Sequence, residues 1–270
     1  MKIGFIGLGN MAKAMIGGLL ERGIASKEEI LGADKLPAAA AAAKEQFGIA
    51  ASSDADANGE VAKKADVLIL AVKPQFLAEA VNELKDFVKE ETLIISIAAG
   101  KTIAQIESLF GKKIKLVRVM PNTPALVLEG CSGVCRNDAV SEEEMQLCMK
   151  LIGSFGKASE VPEKLMDAVT GLSGSGPAFV FMFIEAMADA AVADGMPRDK
   201  AYKFAAQAVL GSAKMVLETG KHPGALKDDV CSPGGTTIQA VISMEQMGLR
   251  AAVMQGIKDC CDKSREMSGE

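Results

Sequence analysis

Residues 2–12, KIGFIGLGNMA, carry the strongest indication of the fold in this chain. Its first half is apolar and suits a short, buried parallel strand. Gly7, Gly9 and Ala12 then follow at the spacing G-x-G-x-x-A, and a helix is predicted over 11–22. A strand, a glycine-rich turn and a helix in this order are typical of the first unit of a dinucleotide-binding fold.

Each small residue of this motif has a separate physical task. Gly7 permits the tight turn, Gly9 lets a pyrophosphate approach the backbone, and Ala12 lets the helix pack against the strand. The positive amino-terminal end of the predicted helix then points toward the phosphates. A purely structural turn would need only the first of these features, so the motif favours dinucleotide binding.

An acidic residue stands where the motif requires one. Asp34 closes a predicted strand over 29–34, about 20 residues beyond the glycines, where a carboxylate accepts from the ribose 2′-hydroxyl. Lys35 follows it and offers a positive charge to a 2′-phosphate. Asp34 therefore argues for NADH, whereas Lys35 argues for NADPH.

Composition narrows the classes of protein. The net charge is −5 with no basic run, which argues against a nucleic-acid or anionic-membrane partner, and no apolar run approaches the roughly 18 residues of a spanning helix. The six cysteines form no C-x-x-C pair, and His222 is the single histidine. We therefore expect no metal site, no disulfide framework and a cytoplasmic location.

Strand and helix patterns alternate through the first part of the chain. Apolar strand candidates include 67–72, 92–97 and 115–119, separated by helix candidates, with further edge strands at 133–136 and 157–161. This alternation predicts an α/β fold with a doubly wound parallel sheet of the Rossmann type. In such sheets, ligands bind beyond the carboxyl ends of the strands.

The pattern changes near Pro162. From there on only helices are predicted, so we divide the chain into a dinucleotide-binding domain at 1–162 and an all-α substrate-binding and dimerisation domain at 163–270. The predicted helix at 177–194 is apolar on nearly every side, and such a helix needs burial all round. We expect a second subunit to cover it.

Two glycine-rich junctions precede predicted helices in the second part. SGSGP at 173–177 and SPGGTT at 232–237 each place backbone amides and hydroxyls at a helix start. Simple capping would explain one serine or threonine. Two junctions with paired glycines favour a pocket for a carboxylate or a polar ring nitrogen.

The residues that are missing also limit the chemistry. No Ser-His-Asp arrangement is available, and no lysine stands inside the apolar helix as a general acid. Hydride transfer to a carbon–nitrogen double bond is compatible with the absence of these acid–base residues. The imine nitrogen is basic enough to be protonated before reaction, so the protein mainly orients donor and acceptor.

Four blocks of the sequence together resemble pyrroline-5-carboxylate reductases. They are FIGLGNMA at 5–12, AVKP at 71–74, TGLSGSGPA at 170–178 and the block from His222 to Thr237. The resemblance spans residues 1 to about 266, and the last block is its specific part. It implies NAD(P)H-dependent reduction of 1-pyrroline-5-carboxylate to L-proline, the last step of proline biosynthesis. It also implies a homodimer through the carboxyl-terminal helices, with a decamer as a larger assembly.

The resemblance also carries site residues onto this chain. Cofactor contacts fall on the following positions: Gly7, Leu8, Gly9, Asn10, Met11, Ala12, Asn58, Val72, Lys73, Pro74, Ala98 and Ala99. Together with Asp34 and Lys35 they form the predicted cofactor site. The family's commoner use of NADPH favours that cofactor.

Substrate contacts fall mainly on the junction before the helix predicted at 236–247. They are Ser232, Gly234, Gly235, Thr236 and Thr237, and the resemblance adds Glu163 near the ring. It implies that Thr237, the predicted catalytic residue, hydrogen-bonds the ring nitrogen while the amides of Gly235 to Thr237 hold the carboxylate.

Two other functions are open at this level. A β-hydroxyacid dehydrogenase also joins a nucleotide domain to helices, but it needs a catalytic lysine that the helix predicted at 177–194 does not contain. A non-enzymatic dinucleotide-sensing protein would need no polar helix starts. Neither alternative explains the block at 222–237.

Overall fold

A computed structural model describes residues 1–269, and an eight-stranded sheet forms the centre of its first part. The spatial order of the strands is β3-β2-β1-β4-β5-β6-β7-β8. The strands are β1 (Ile3–Ile6), β2 (Ile30–Ala33), β3 (Ala50–Ser52), β4 (Val67–Leu70), β5 (Leu93–Ser96), β6 (Lys115–Met120), β7 (Gly130–Arg136) and β8 (Gly156–Glu160).

The central strands are apolar because helices cover both faces of the sheet. Every residue of β1, β4 and β5 is buried. The covering helices are α1 (Asn10–Glu21), α2 (Pro37–Phe47), α3 (Ala57–Lys64), α4 (Leu77–Leu84), α5 (Ile103–Phe110) and α6 (Glu142–Ile152). Two hydrophobic clusters form between the sheet and its helices, one with α1, α2 and α6 and the other with α3, α4 and α5.

The strand order reverses at β1, which lies between β2 and β4 and is parallel to both. The chain therefore leaves β1 in one direction and later returns to its other side. This is the switch point at which open α/β sheets bind ligands. The predicted Rossmann-type doubly wound fold is confirmed.

The sheet departs from the predicted pattern in two places. β7 is antiparallel to β6, and β8 is parallel to β7, so the last two strands run against the first six. Two further elements, β3 and α3, were not predicted from the sequence. These elements are short, and the polar residues of 52–60 obscure their periodicity.

The described chain divides into two compact units. One contains residues 1–175 with those from Asp259 onward, and the other contains Gly176–Lys258. The boundary predicted after residue 162 stays a prediction. The remaining helices are α7 (Met166–Val169), α8 (Gly176–Ala193), α9 (Arg198–Thr219), α10 (Pro223–Val230), α11 (Thr236–Gln246) and α12 (Leu249–Ser268).

The apolar helix α8 is exposed in the isolated chain. Ala188 is its one buried residue, whereas Phe181 and Met182 are 61% and 68% exposed. By length and composition, the helical stretch Glu163–Ala193 could cross a membrane, with a mean hydropathy of 1.5. The sequence has no uninterrupted apolar run of this length, but an average over 18 residues tolerates isolated polar ones.

Candidate active site

The turn after β1 has room for glycine alone at its first position. Gly7 has φ +94°, and a Cβ there would lie 2.8 Å from the Ala71 carbonyl oxygen and 3.0 Å from Val72 Cγ1. Its amide donates to the Ala33 carbonyl at 2.8 Å. The glycine therefore fixes the turn between the ends of β2 and β4.

The next glycine leaves the start of α1 open. Gly9 precedes α1, no side chain caps that helix, and its first turn contains no acidic residue. A Cβ at Gly9 would have no heavy-atom neighbour within 4 Å. Free amides and open space at a helix start fit the pyrophosphate of a dinucleotide. Ala12 is 1% exposed and belongs to the core, as its packing role requires.

Asp34 ties the glycine turn to the end of β2. Its Oδ2 accepts from the Leu8 amide at 2.7 Å, and its Oδ1 accepts from the Leu36 amide at 2.8 Å. The carboxylate is half-buried. Asp34 therefore has a structural task, which was not predicted from the sequence, as well as the predicted contact with the ribose.

Glu83, which was not predicted as a site residue, contacts both Lys35 and Asn58. Lys35 Nζ lies 2.7 Å from Glu83 Oε1, and Asn58 Nδ2 donates to Glu83 Oε2 at 2.6 Å. Lys35 Nζ also lies 2.6 Å from Glu79 Oε1. The two glutamates stand four residues apart and therefore on one face of α4, and this spacing was the available signal.

The loops after β4 and β5 lie at the same end of the sheet as the glycine turn, because β1, β4 and β5 are adjacent and parallel and all three segments follow carboxyl ends. Lys73 is exposed and precedes a short 3₁₀ turn, Pro74–Phe76, while Val72 is half-buried. Ala98 is 4% exposed, and Ala99 is half-buried. Because Ala98 and Ala99 have short side chains, a flat cofactor could lie close to the backbone after β5.

Glu163 has structural partners. Its Oε1 accepts from the Ile103 amide, at the start of α5, at 2.7 Å and from Arg118 Nη1 at 3.0 Å. The Arg118 side chain is only 6% exposed, whereas that of Glu163 is 37% exposed. Glu163 belongs to the first compact unit, whereas the other predicted substrate residues belong to the second.

Replacing Glu163 with alanine should destabilise the protein, because it leaves the buried Arg118 guanidinium without this carboxylate and removes an acceptor at the start of α5. We expect a loss of about 2 kcal/mol in the free energy of unfolding. A fully buried pair would cost about 3–5 kcal/mol, but the exposure of Glu163 lets water compensate. Chemical denaturation measures the change. An unchanged stability would show that the pair contributes nothing to the fold.

Cys135 lies beside this ion pair. Burial raises the pKa of its thiol to about 12, and the negative charge of Glu163 acts in the same direction. The thiolate is therefore disfavoured at neutral pH, and nucleophilic chemistry at this cysteine is not supported.

No group of three or more potential metal ligands was found among residues 1–269.

The junction before α11 has the open geometry of an anion site. Gly234 has φ +68°, and the Gly235 amide donates to the Ser232 carbonyl at 3.0 Å, which closes a tight turn. No side chain caps α11, and its first turn has no acidic residue. Thr236 is exposed, and Thr237 is half-buried. A carboxylate could accept from the amides of this turn.

A Cβ at Gly235 would lie 2.4 Å from Ser232 Oγ. The serine hydroxyl therefore occupies the space beside this glycine, and a larger residue would displace it. The structure thus brings together the predicted substrate residues of the 232–237 turn.

The other glycine-rich junction differs from the prediction. A π-helical turn, Thr170–Gly174, follows α7, and Ser175 keeps a helical conformation before α8. The Ser175 amide donates to the Thr170 carbonyl, and the Ser173 hydroxyl donates to the Val169 carbonyl. The Ser175 amide and the Ser173 hydroxyl are therefore already bonded within the continuous helix that leads from α7 into α8, and this segment is not a separate helix start.

Comparisons with known proteins relate both parts of the chain to enzymes that use dinucleotides. A family model for pyrroline-5-carboxylate reductase dimerisation matches residues 163–267, and one for NADP oxidoreductases dependent on coenzyme F420 matches 2–100. Pyrroline-5-carboxylate reductase of Escherichia coli is 50% identical over 99% of this chain and 98% of its own length. That of Methanosarcina acetivorans is 46% identical, covering 98% and 97%.

A solved structure is similar over nearly the whole chain. The pyrroline carboxylate reductase of Plasmodium falciparum, crystallised with NADP bound, has a TM-score of 0.90 and 34% identity, covering 99% of this chain and 98% of its own. Together with the glycine turn and the open start of α1, this similarity defines a dinucleotide-dependent oxidoreductase. The chain belongs to the pyrroline-5-carboxylate reductase family, so the predicted family is confirmed.

Proposed function

We propose that this chain reduces the carbon–nitrogen double bond of 1-pyrroline-5-carboxylate with NAD(P)H and forms L-proline. The identity of 50% over 98% of the Escherichia coli enzyme's length carries this proposal. It favours this reaction over the two alternatives, a β-hydroxyacid dehydrogenase and a non-enzymatic dinucleotide sensor. Each reactant has its own binding surface, one in each compact unit.

The first unit binds the cofactor, which supplies the hydride. The Gly7 turn and the open start of α1 hold the pyrophosphate, and Asp34 accepts from the adenosine ribose. Val72, Lys73 and Pro74 contact the cofactor beyond β4, as Ala98 and Ala99 do beyond β5. The geometry at each position supports these roles.

The start of α11 binds the imino acid. The amides of Gly235, Thr236 and Thr237 hold its carboxylate, and the Thr237 hydroxyl hydrogen-bonds the ring nitrogen. The carbon of the protonated imine accepts the hydride, and the electron pair of its double bond moves to nitrogen, which gives the amine. Thr237 thus orients the acceptor and needs no change of charge.

Replacing Thr237 with alanine should lower kcat about tenfold to a hundredfold, the range for one hydrogen bond to a charged group. The dissociation constant for NADPH should change much less, because the hydroxyl contacts the substrate. Steady-state kinetics and cofactor titration by fluorescence measure the two quantities. Thr237→Ser keeps the hydroxyl and should restore most of the turnover. Equal activity in the alanine variant would remove Thr237 from the mechanism.

The assembly and the cellular location belong to the same proposal. Exposed apolar residues on α8 and the match to the dimerisation model support a homodimer. A decamer and the preference for NADPH stay predictions, and so does a cytoplasmic location, which agrees with six free cysteines.

One assay tests the proposed reaction. With 1-pyrroline-5-carboxylate, the oxidation of NAD(P)H followed by absorbance should be fast. With a β-hydroxy acid and NAD(P)⁺, the reduction of NAD(P)⁺ should be undetectable. Binding of the cofactor without turnover of either compound would contradict the proposal and favour a sensor.

A further inference from the structure

The lysine at the predicted 2′-phosphate position is held by two carboxylates. Lys35 Nζ lies 2.6 Å from Glu79 Oε1 and 2.7 Å from Glu83 Oε1. Hydrogen bonds to Glu79 and then Glu83 raise the pKa of Lys35 above its ordinary value. Its ammonium group is therefore charged but already shared between two anions.

The surroundings of Lys35 are negative overall. Asp34, Glu79 and Glu83 contribute three negative charges against its single positive charge. A 2′-phosphate brings about two more negative charges, whereas the 2′-hydroxyl of NADH brings none. Charges in water at about 4 Å interact by roughly 1 kcal/mol, so these carboxylates affect the two cofactors differently.

Glu83 is fixed at both of its carboxylate oxygens. Oε1 faces Lys35, while Oε2 accepts from Asn58 Nδ2 at 2.6 Å. Asn58 is 8% exposed, and it lies in the first turn of α3. Its amide therefore orients Glu83 from a buried position, and the lysine has a pre-positioned partner on α4.

We infer that Glu79 and Glu83 are specificity-determining residues, which weaken binding of NADPH relative to NADH by engaging Lys35. This inference rests on the proposed cofactor site and adds two residues that the family motifs do not include. Lys35 alone would favour the 2′-phosphate, and the two glutamates reduce that advantage. The lysine lies on the loop after β2, and both glutamates lie on α4.

The effect should be moderate because the ion pairs are partly open to solvent. The side chains of Lys35, Glu79 and Glu83 are 53%, 58% and 34% exposed. Exposed pairs are weak, so a phosphate can compete for the lysine without unfolding the region. The glutamates are expected to shift the cofactor ratio and not to exclude either cofactor.

The double variant E79Q/E83Q tests the inference. Glutamine keeps the shape and an acceptor oxygen for Asn58 but removes both negative charges. The ratio of kcat/KM for NADPH to that for NADH should rise roughly fivefold or more, which is the effect of about 1 kcal/mol. Binding of adenosine 2′,5′-bisphosphate should tighten relative to AMP, which provides a readout independent of turnover.

Lys35→Gln shows whether the lysine mediates the gain. In the E79Q/E83Q background, this substitution should remove most of the increase in the ratio, whereas in the wild-type background it should have a smaller effect. An unchanged ratio in E79Q/E83Q would overturn the inference. An increase that persists in full without Lys35 would also overturn it, because simple repulsion by the carboxylates would then suffice.

A matched control and a second readout separate this inference from the proposed function. Glu60→Gln removes a carboxylate that pairs with Lys64 at 3.0 Å on the exposed face of α3, so the ratio should not change. A shift as large as that of E79Q/E83Q would show a general charge effect and overturn the inference. If the wild-type protein bound neither cofactor, the proposed function would fail first. Binding and turnover with an unmoved ratio would overturn only the role of the glutamates.

Discussion

Replacing Gly7 with alanine is expected to destabilise the protein and to abolish detectable binding of either dinucleotide. The backbone has φ +94°, and the new methyl group would lie 2.8 Å from the Ala71 carbonyl oxygen. A non-glycine residue in such a conformation costs about 1–3 kcal/mol, and overpacking adds about 1–3 kcal/mol. We expect a total loss of roughly 3 kcal/mol or more, measured by chemical denaturation, together with loss of cofactor binding in a fluorescence titration.

Two other glycines separate the causes. Gly9→Ala should fold with nearly normal stability, because its φ is −71° and the site is open, but a methyl group there should weaken binding of the pyrophosphate. Gly23→Ala tests positive φ alone, since Gly23 has φ +63° with no neighbour within 4 Å. It should lose stability and keep cofactor affinity. Normal stability in Gly7→Ala would show that the turn tolerates a side chain.

Replacing Phe181 with glutamate is expected to convert the protein into monomers. This side chain is 61% exposed in the single chain, on a helix whose mean hydropathy would suit complete burial. A second copy of the chain that covers α8 would have to bury the new carboxylate without a partner, at a cost of several kcal/mol. Light scattering should give at least twice the 28.1 kDa chain mass for the wild type, and the mass of one chain for the variant.

Val127→Glu is the matched control for this experiment. Val127 is 71% exposed and lies in a short 3₁₀ turn, Thr123–Val127, in the first compact unit. The same substitution there should leave the molecular mass unchanged. A wild-type protein that is monomeric at micromolar concentration would contradict the proposed dimer.

Much of the cofactor site could be predicted from local sequence. A strand, the spacing of Gly7, Gly9 and Ala12, and a helix are contiguous, so their geometry depends on neighbouring residues. The start of α2 and the end of α9 are local in the same way, since Pro37 is the first residue of α2 and Gly220 directly follows α9.

Partners distant in the sequence could not be predicted this way. Glu163 pairs with Arg118, 45 residues away, and Asn58 donates to Glu83, 25 residues away. These two contacts depend on which strands and helices become neighbours, and the direction of β7 shows that alternation alone does not determine this. The hydrogen bonds of the π-helical turn before α8 are local, but they use donors that were expected to be free.

The amino-acid sequence alone is enough to establish the fold class, the glycine turn, the family and the helix start at Thr236, because each depends on short-range backbone sterics or on a recognisable block of residues. The partners of three charged side chains follow from the tertiary structure instead: Asp34 holds the turn, Glu163 pairs with a buried arginine, and Lys35 is shared between two glutamates. A charged side chain takes its partner from whatever the fold brings within about 4 Å, and sequence spacing does not specify that distance.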